Sequence, residues 1–265
     1  MIYQPGCRTL EKISRIMKSV FLVWKDIKDG MWHPVAKLTR ERGLYRFNYT
    51  QGANHPNFLP LPKMEDKSKV YVSIDLFAFF RNRLLPHNRP EFKKVLGWSD
   101  MSKETYDELD MLSVTGGARQ TDDFRVIAQP QLQDDEYKIR FYISGISHLE
   151  HKNVERIGRL KPTEKLQFEF EEDNPFDCNA VLATTIDKEK LKVGYCPKYF
   201  NCDIKALMEN QDLKGYELNV VKVNTDAPAP YRLLCEFSAK WPKGFMPLIS
   251  KDYLAHTHHE NTILI

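Results

Sequence analysis

The second half of the chain alternates between apolar and polar residues with a period of two. Between 165 and 171, Leu166, Phe168 and Phe170 fall on one face, and the polar residues between them fall on the other. This period is typical of β-strands that bury one face, and the stretch at 232–241 repeats it. Further strands are predicted at 138–144, 180–186, 191–195 and 216–223, with one short helix at 200–210. Short strands in this number favour a small closed antiparallel β-barrel.

The first half mixes strands with helices. The predicted elements are strands at 20–24, 32–38 and 44–49 and helices at 74–85, 91–96 and 103–112. Asp29 and Gly30 form a hairpin signal between the first two strands. Ser73 is the expected N-cap of the first helix, and Pro86 is expected to end that helix.

A polar segment at 127–136 contains a proline and is the expected domain boundary. The fold class is predicted to be α+β, with two small domains. The predicted organisation is an extension at 1–16, a first domain at 17–128, a barrel domain at 137–243 and a C-terminal tail at 244–265.

Charge and hydropathy limit the function classes. The 265 residues include 39 Lys and Arg against 36 Asp and Glu, a net charge of +3, so nucleic acid would be bound at a local site rather than over a basic face. The longest apolar runs, such as 21–24, fall far short of the roughly 18 residues that a membrane span needs. Residues 1–18 lack the apolar core of a signal peptide, so no membrane partner and a cytoplasmic location are expected.

The sequence contains no phosphate-binding glycine motif and no hydrolase, zinc-protease or kinase signature, so a protein without enzymatic activity and without a cofactor is predicted. The five cysteines are irregularly spaced and predict neither a disulfide framework nor a zinc site. His256, His258 and His259 could bind a metal, but a solvated tail is the favoured interpretation, and no metal site is predicted. A nuclease that uses acidic residues with a metal remains an alternative.

The most specific motif is Asn-Pro-Phe-Asp-Cys-Asn-Ala at 174–180, between two predicted strands. Its turn-forming residues are consistent with a simple tight connection. They also present Phe176 beside the carboxylate of Asp177. An aromatic ring can stack on a base, and a carboxylate can accept a hydrogen bond from a sugar hydroxyl. This combination favours recognition of the end of a nucleic-acid strand.

Three motifs together resemble the HIRAN domain over roughly 137–243: Ser-Gly-Ile at 144–146, the motif at 174–180, and Val-Gly-Tyr-Cys-Pro-Lys at 193–198. The resemblance implies a small modified barrel related to OB folds that captures the free 3′-hydroxyl end of single-stranded DNA.

The resemblance also implies the roles of individual residues. Its turn, here Asn174, Phe176 and Asp177, supplies a stacking aromatic and the carboxylate that reads the terminal hydroxyl. Tyr195 and Lys198 fall on the segment where a basic residue contacts phosphate. The two remaining candidate nucleic-acid-binding residues are His148, where the family offers an aromatic, and Tyr231, as a further stacking aromatic.

The first half resembles the N-terminal subdomain of HipA-type toxin kinases. The resemblance lies in the segments at 43–49, 77–86 and 115–124. It implies a protein-contact module that engages a kinase-like toxin. Either such a toxin or a DNA-processing enzyme is the expected protein partner of the chain. A packing domain in which Phe77, Phe79 and Phe80 are core residues is the simpler interpretation.

The leading hypothesis is therefore a non-enzymatic protein that binds single-stranded DNA, preferably at a 3′-hydroxyl end, through its second domain. The alternative is a regulatory protein of toxin–antitoxin type that acts on a HipA-like kinase through its first domain.

Overall fold

The structure is a computed structural model that describes residues 17–132, 134–210, 215–256 and 262–264. The chain divides into two compact units, neither of which is continuous in sequence. The first comprises Met1–Leu84, Gly116–Ala128 and Ser250–Ile265, and the second comprises Leu85–Thr115 and Gln129–Ile249. The predicted extension at 1–16 lies outside the described residues.

The first unit contains a six-stranded sheet with the strand order β12-β4-β3-β2-β1-β5. Its strands are β1 Lys18–Lys25, β2 Trp32–Glu41, β3 Leu44–Tyr49, β4 Val70–Ser73, β5 Phe124–Ala128 and β12 Thr262–Leu264. Neighbouring strands are antiparallel except β12, which runs parallel to β4. The segment predicted as a separate C-terminal tail thus contributes a strand to this sheet.

The β1–β2 hairpin confirms the signal at Asp29 and Gly30. Gly30 has φ +70°, which favours glycine, and the Asp29 carboxylate accepts a 2.7 Å hydrogen bond from the Met31 amide. The sheet buries Phe47 and Tyr49 completely or nearly so. The Tyr49 hydroxyl is satisfied in the core, because it donates to the Met64 carbonyl (2.8 Å).

The predicted helix at 74–85 is wrong for most of its length, because only α1, Ala78–Arg81, is an α-helix. Ser73 is the last residue of β4 and pairs with Tyr45. Since Ser73 is held in the sheet, it cannot cap a helix that follows directly. The aromatic cluster is nevertheless core, because Phe77 and Phe80 are buried and Phe79 is half-buried.

The second unit contains a six-stranded sheet with the order β6-β11-β10-β7-β8-β9. Its strands are β6 Glu136–Tyr142, β7 Lys165–Glu171, β8 Ala180–Thr185, β9 Lys192–Tyr195, β10 Tyr216–Val223 and β11 Leu233–Lys240. Its helices are α2 Glu91–Trp98, α3 Glu108–Thr115, α4 His151–Arg159 and α5 Asn201–Glu209. The fold is α+β and consists mostly of sheet, as predicted.

The predicted closed, OB-like barrel is not confirmed. Within the described residues, the two ends of the second sheet meet only at an isolated bridge between Ser144 and Tyr195. Their amides and carbonyls exchange hydrogen bonds of 2.8 and 2.9 Å. The pairing stops there because Gly145, at φ +78°, turns the chain away on one side, and Pro197 cannot donate a ladder bond on the other.

None of the helices in the described part of the chain combines the length and the apolar character that spanning a bilayer requires.

Candidate nucleic-acid interface

The turn between β7 and β8 is built from successive main-chain hydrogen bonds. Glu171 and Ala180 pair at the ends of the two strands. Within the turn, the Asn174 amide donates to the Glu171 carbonyl (3.1 Å), and the Ala180 amide donates to the Asp177 carbonyl (2.9 Å). The connection is therefore compact and internally bonded, rather than a loose loop.

The side chains of Asn174 and Asp177 shape this turn. The Asn174 side-chain oxygen accepts from the Phe176 amide (3.0 Å), and one Asp177 oxygen accepts from the Asn179 amide (3.0 Å). Asn and Asp commonly form turns of this kind with the backbone two residues ahead. The motif therefore forms the tight connection that its turn-forming residues predict. Asn174 and Asp177, both predicted site residues, have a structural role in this turn.

Phe176 projects into solvent from this braced turn. Its exposure of 84% is the largest among the exposed large apolar side chains in the described residues. An exposed phenyl ring is costly in water and is not explained by core packing. The main-chain carbonyl of the same residue accepts a 2.7 Å hydrogen bond from the ammonium group of Lys198. An exposed cation is thus hydrogen-bonded to the backbone of the residue that carries the exposed ring.

Glu171 is the centre of a hydrogen-bond network beneath the turn. Its carboxylate accepts from Lys192 (2.9 Å), from the Tyr195 hydroxyl (2.8 Å) and from the Asn174 amide group (3.1 Å). Burial alone would raise the pKa of Glu171, but these donors outweigh it and hold the pKa below its usual value. Burial, followed by the hydrogen bond to Glu171 and then the charge of that carboxylate, raises the pKa of Tyr195.

Asp177 is tied to helix α5 as well as to its own turn. Its second carboxylate oxygen accepts a 2.9 Å hydrogen bond from the Asn201 side chain, which is 2% exposed. Each carboxylate oxygen offers two lone-pair sites, so these two bonds leave acceptor capacity on Asp177. The side chain is half-buried, and the turn and helix bonds hold its orientation.

The structure brings five of the predicted site residues together: Asn174, Phe176, Asp177, Tyr195 and Lys198. The sixth, His148, is exposed on the short 3-10 turn Ile146–His148 that follows Gly145. A methyl group on Gly145 would lie 3.2 Å from the Tyr195 ring, so Tyr195 packs against the start of this turn.

Tyr231, the seventh predicted site residue, lies on a neighbouring 3-10 turn, Ala229–Tyr231. Its ring stacks on Trp98 with 5.9 Å between centroids and meets Tyr142 edge-on at 5.2 Å. The side chain is half-buried and contributes to aromatic packing.

Sequence reasoning missed Glu171 and Asn201, which hold the turn in place. Glu171 lies on the polar face of the β7 alternation and precedes Glu172 and Asp173, so in the sequence it resembles one member of a solvated acidic run. Its partners Lys192 and Tyr195 belong to β9, about twenty residues further along the chain. No local spacing signals contacts of this kind between distant strands.

A group that could hold a metal ion lies in the first unit and comprises Asp29, His33 and His55. It differs from the histidines considered in the sequence. His256 hydrogen-bonds through its ring to Asn54 (2.8 Å), whereas 257–261 lie outside the described residues.

Residues 136–242 match the family model described as the HIRAN domain. A crystal structure of a protein from Lactobacillus plantarum is 18% identical, with 39% of this chain and 96% of that chain covered and a TM-score of 0.31. The crystal structure of the HIRAN domain of human HLTF is 16% identical, with 38% and 74% covered and a TM-score of 0.31. No curated protein matches the chain. A HIRAN domain is thus supported for residues 136–242, whereas the HipA-like character of the first half is not.

Proposed function

We propose that the second unit binds single-stranded nucleic acid at the turn between β7 and β8, and that its ligand is DNA with a free 3′-hydroxyl end. The observation that carries this proposal is the 84% exposure of Phe176 on a turn braced by its own hydrogen bonds. Because the backbone of this turn is already ordered, stacking of the ring on a base costs little main-chain conformational freedom. The HIRAN match at 136–242 supports a nucleic-acid ligand.

Each neighbour of the ring supplies a different contact. The Lys198 ammonium group has donors beyond the one bonded to the Phe176 carbonyl, and these suit a phosphate oxygen. The carboxylate of Asp177 repels phosphate but accepts from a hydroxyl. A strand end offers a hydroxyl without a phosphate, and this difference is the basis for the proposed end preference.

The chain has a formal net charge of only +3, so long-range attraction contributes little to binding. We expect stacking and end recognition to supply most of the affinity. A site that neutralises one or two phosphates of a single strand has a salt slope of about −0.7 to −1.4.

Fluorescence anisotropy with a labelled ten-nucleotide strand tests the proposal. Strands ending in a 3′-hydroxyl or a 3′-phosphate are compared at low and moderate salt, with an RNA strand of the same sequence as a further probe. Tighter binding of the DNA with the 3′-hydroxyl supports the proposal. Equal binding of both ends refutes end recognition, and binding of neither strand refutes the function.

We expect this activity to be non-enzymatic and cytoplasmic. The alternative, regulation of a HipA-like kinase by the first domain, rests on the sequence resemblance alone. Co-purification of a kinase-like toxin with the full chain from its native host supports that alternative, and recovery of no such partner contradicts it.

A further inference from the structure

Two histidines and one aspartate converge at the end of the β1–β2 hairpin. Asp29 lies in the hairpin turn, His33 lies near the start of β2, and His55 follows the short 3-10 helix Gln51–Asn54. The potential ligand atoms of the three side chains all lie within 4.8 Å of one another. The two imidazole rings lie 4.3 Å apart between centroids. The turn and a separate loop therefore contribute to one cluster.

The distances in this cluster suit a small tetrahedral ion. One Asp29 oxygen, Oδ2, lies 3.0 Å from His33 Nε2 and 3.5 Å from His55 Nε2. Ligands at the usual zinc distance of about 2.1 Å in a tetrahedron are separated by about 3.4 Å. The two spacings lie on either side of this value, and the potential ligand atoms of the two histidines lie within 4.8 Å of each other, so the side chains would close around an ion bound between them.

The chemistry of the ligands selects the class of ion. Imidazole nitrogen with a carboxylate oxygen is typical of Zn²⁺ and its neighbours in the first transition row. Ca²⁺ and Mg²⁺ prefer sets made of oxygen atoms only. Three protein ligands leave a fourth position for water, and Asp29, with 38% of its side chain exposed, lies on the solvent side.

Surrounding residues hold the cluster in position. The other Asp29 oxygen, Oδ1, accepts from the Met31 amide (2.7 Å), which leaves Oδ2 directed at the histidines. Asp26 Oδ2 lies 3.8 Å from His55 Nε2, the nitrogen that also faces Asp29, and accepts a 2.7 Å hydrogen bond from the Asn57 side chain. Asp26 therefore adds a second carboxylate beside the ligand atoms, whereas the bond from Met31 orients Asp29 as outer partners orient metal ligands.

The Trp24 ring packs beside the cluster, with 5.5 Å between its centroid and that of the His55 ring. His55 Nδ1 accepts a 3.3 Å hydrogen bond from the Asn57 amide. These contacts orient the His55 ring, whose Nε2 lies 3.5 Å from Asp29 Oδ2.

We propose that Asp29, His33 and His55 bind one Zn²⁺-class divalent ion, with the Asp26 carboxylate adding negative charge beside the ligand atoms. The ion would join the β1–β2 hairpin to the segment that carries His55. This site is independent of the proposed nucleic-acid interface, so each proposal can fail without the other.

The test uses the full chain, stripped of metal with a chelator and titrated with Zn²⁺ in competition with a chromophoric chelator. The proposal predicts that each chain binds one Zn²⁺ ion tightly. His33→Gln and His55→Gln should each weaken binding by at least about 100-fold, because loss of an outer partner alone typically costs 10–100-fold. His151→Gln, an exposed histidine of the second unit, should leave the affinity unchanged.

The C-terminal histidines require their own control. The double variant His258→Gln, His259→Gln should still bind one Zn²⁺ ion tightly. Loss of binding in this variant, with retention in His33→Gln and His55→Gln, overturns the proposal. Absence of tight binding in the wild-type chain overturns it equally.

A second measurement does not depend on variants at the cluster. Co²⁺ added to the wild-type chain and to the C-terminal double variant should give the same visible absorption bands of a tetrahedral site. Octahedral spectra, or bands that disappear in the double variant, contradict the assignment to Asp29, His33 and His55.

Discussion

The ammonium group of Lys198 donates a 2.7 Å hydrogen bond to the main-chain carbonyl of Phe176, whose ring is 84% exposed. The bond links the segment after β9 to the turn between β7 and β8. It ties an exposed cation to the backbone of the residue that carries the exposed ring. We therefore expect Lys198 to contact a phosphate of the strand whose base stacks on Phe176.

Lys198→Met should weaken binding of a single strand several-fold. The change removes one phosphate contact, so the slope of log affinity against log salt should become shallower by about 0.7. Anisotropy titrations at several salt concentrations measure this slope. Lys188→Met is the matched control, because Lys188 is also exposed but lies beyond the opposite end of β8. An unchanged slope in Lys198→Met contradicts a phosphate contact.

Asp177→Asn should abolish the preference for a 3′-hydroxyl over a 3′-phosphate. A hydrogen bond to a charged group contributes about 1.5–3 kcal/mol, so the preference to be lost is about 10- to 150-fold. Asparagine retains an oxygen that can accept from the Asn179 amide, whereas alanine would remove that turn bond and the one from Asn201. Asp173→Asn, an exposed change in the same turn, should keep the preference. Retention of end discrimination by Asp177→Asn would show that another group reads the terminus.

Gly194→Ala should destabilise the second unit by about 3 kcal/mol or more. Gly194 has φ +128°, and an added Cβ would lie 2.5 Å from both the Ile143 side chain and the Ser144 carbonyl. Gly158→Ala makes the same chemical change in helix α4 at an open, exposed position and should stabilise by about 0.5–1 kcal/mol. Urea denaturation followed by circular dichroism compares the two. Equal stability of Gly194→Ala and the wild type would contradict the close approach of the chain at the Ser144–Tyr195 bridge.

Asp203 should make stability depend on pH. Burial raises its pKa from 3.8 to about 6 in the folded chain, although the Leu248 amide and the Tyr137 hydroxyl donate to its carboxylate. The folded state therefore holds the proton more tightly than the unfolded state. The stability that this proton contributes is fully present below about pH 4 and is lost as the pH rises to about 6. Two pKa units correspond to about 3 kcal/mol at most.

Asp203→Asn removes this titration. The melting temperature of the wild type, measured relative to that of the variant, should fall between pH 4 and pH 6 and then level off. Parallel curves for the two proteins across this range would contradict a raised pKa for Asp203.

Much of the sheet structure could be predicted because half-buried strands have a simple period. The strands predicted at 44–49, 165–171 and 216–223 match β3, β7 and β10. Helix α4 was missed because few of its residues are apolar. Its buried residues are Asn153 and Ile157, and one of these is polar. Strand β12 was missed because its pairing with β4 spans almost two hundred residues.

The site could be predicted only where its chemistry is local. Asn174 and Asp177 are conspicuous turn formers, and they mark the position of Phe176 between two strands. The contacts that fix this turn, such as those of Glu171 and Lys198, join segments about twenty residues apart. The same holds for Asp29 and His55, which are brought together only by the fold.

The most direct test of the account is the affinity of Phe176→Ala for a ten-nucleotide single strand, measured by fluorescence anisotropy. The control is Ile186→Ala, an exposed apolar residue at the opposite end of β8. Because both side chains are exposed, neither change should alter the melting temperature appreciably. The account predicts that Phe176→Ala weakens binding by about 5- to 150-fold, equivalent to about 1–3 kcal/mol, and that Ile186→Ala does not. Equal affinities of Phe176→Ala and the wild type would contradict binding at this turn.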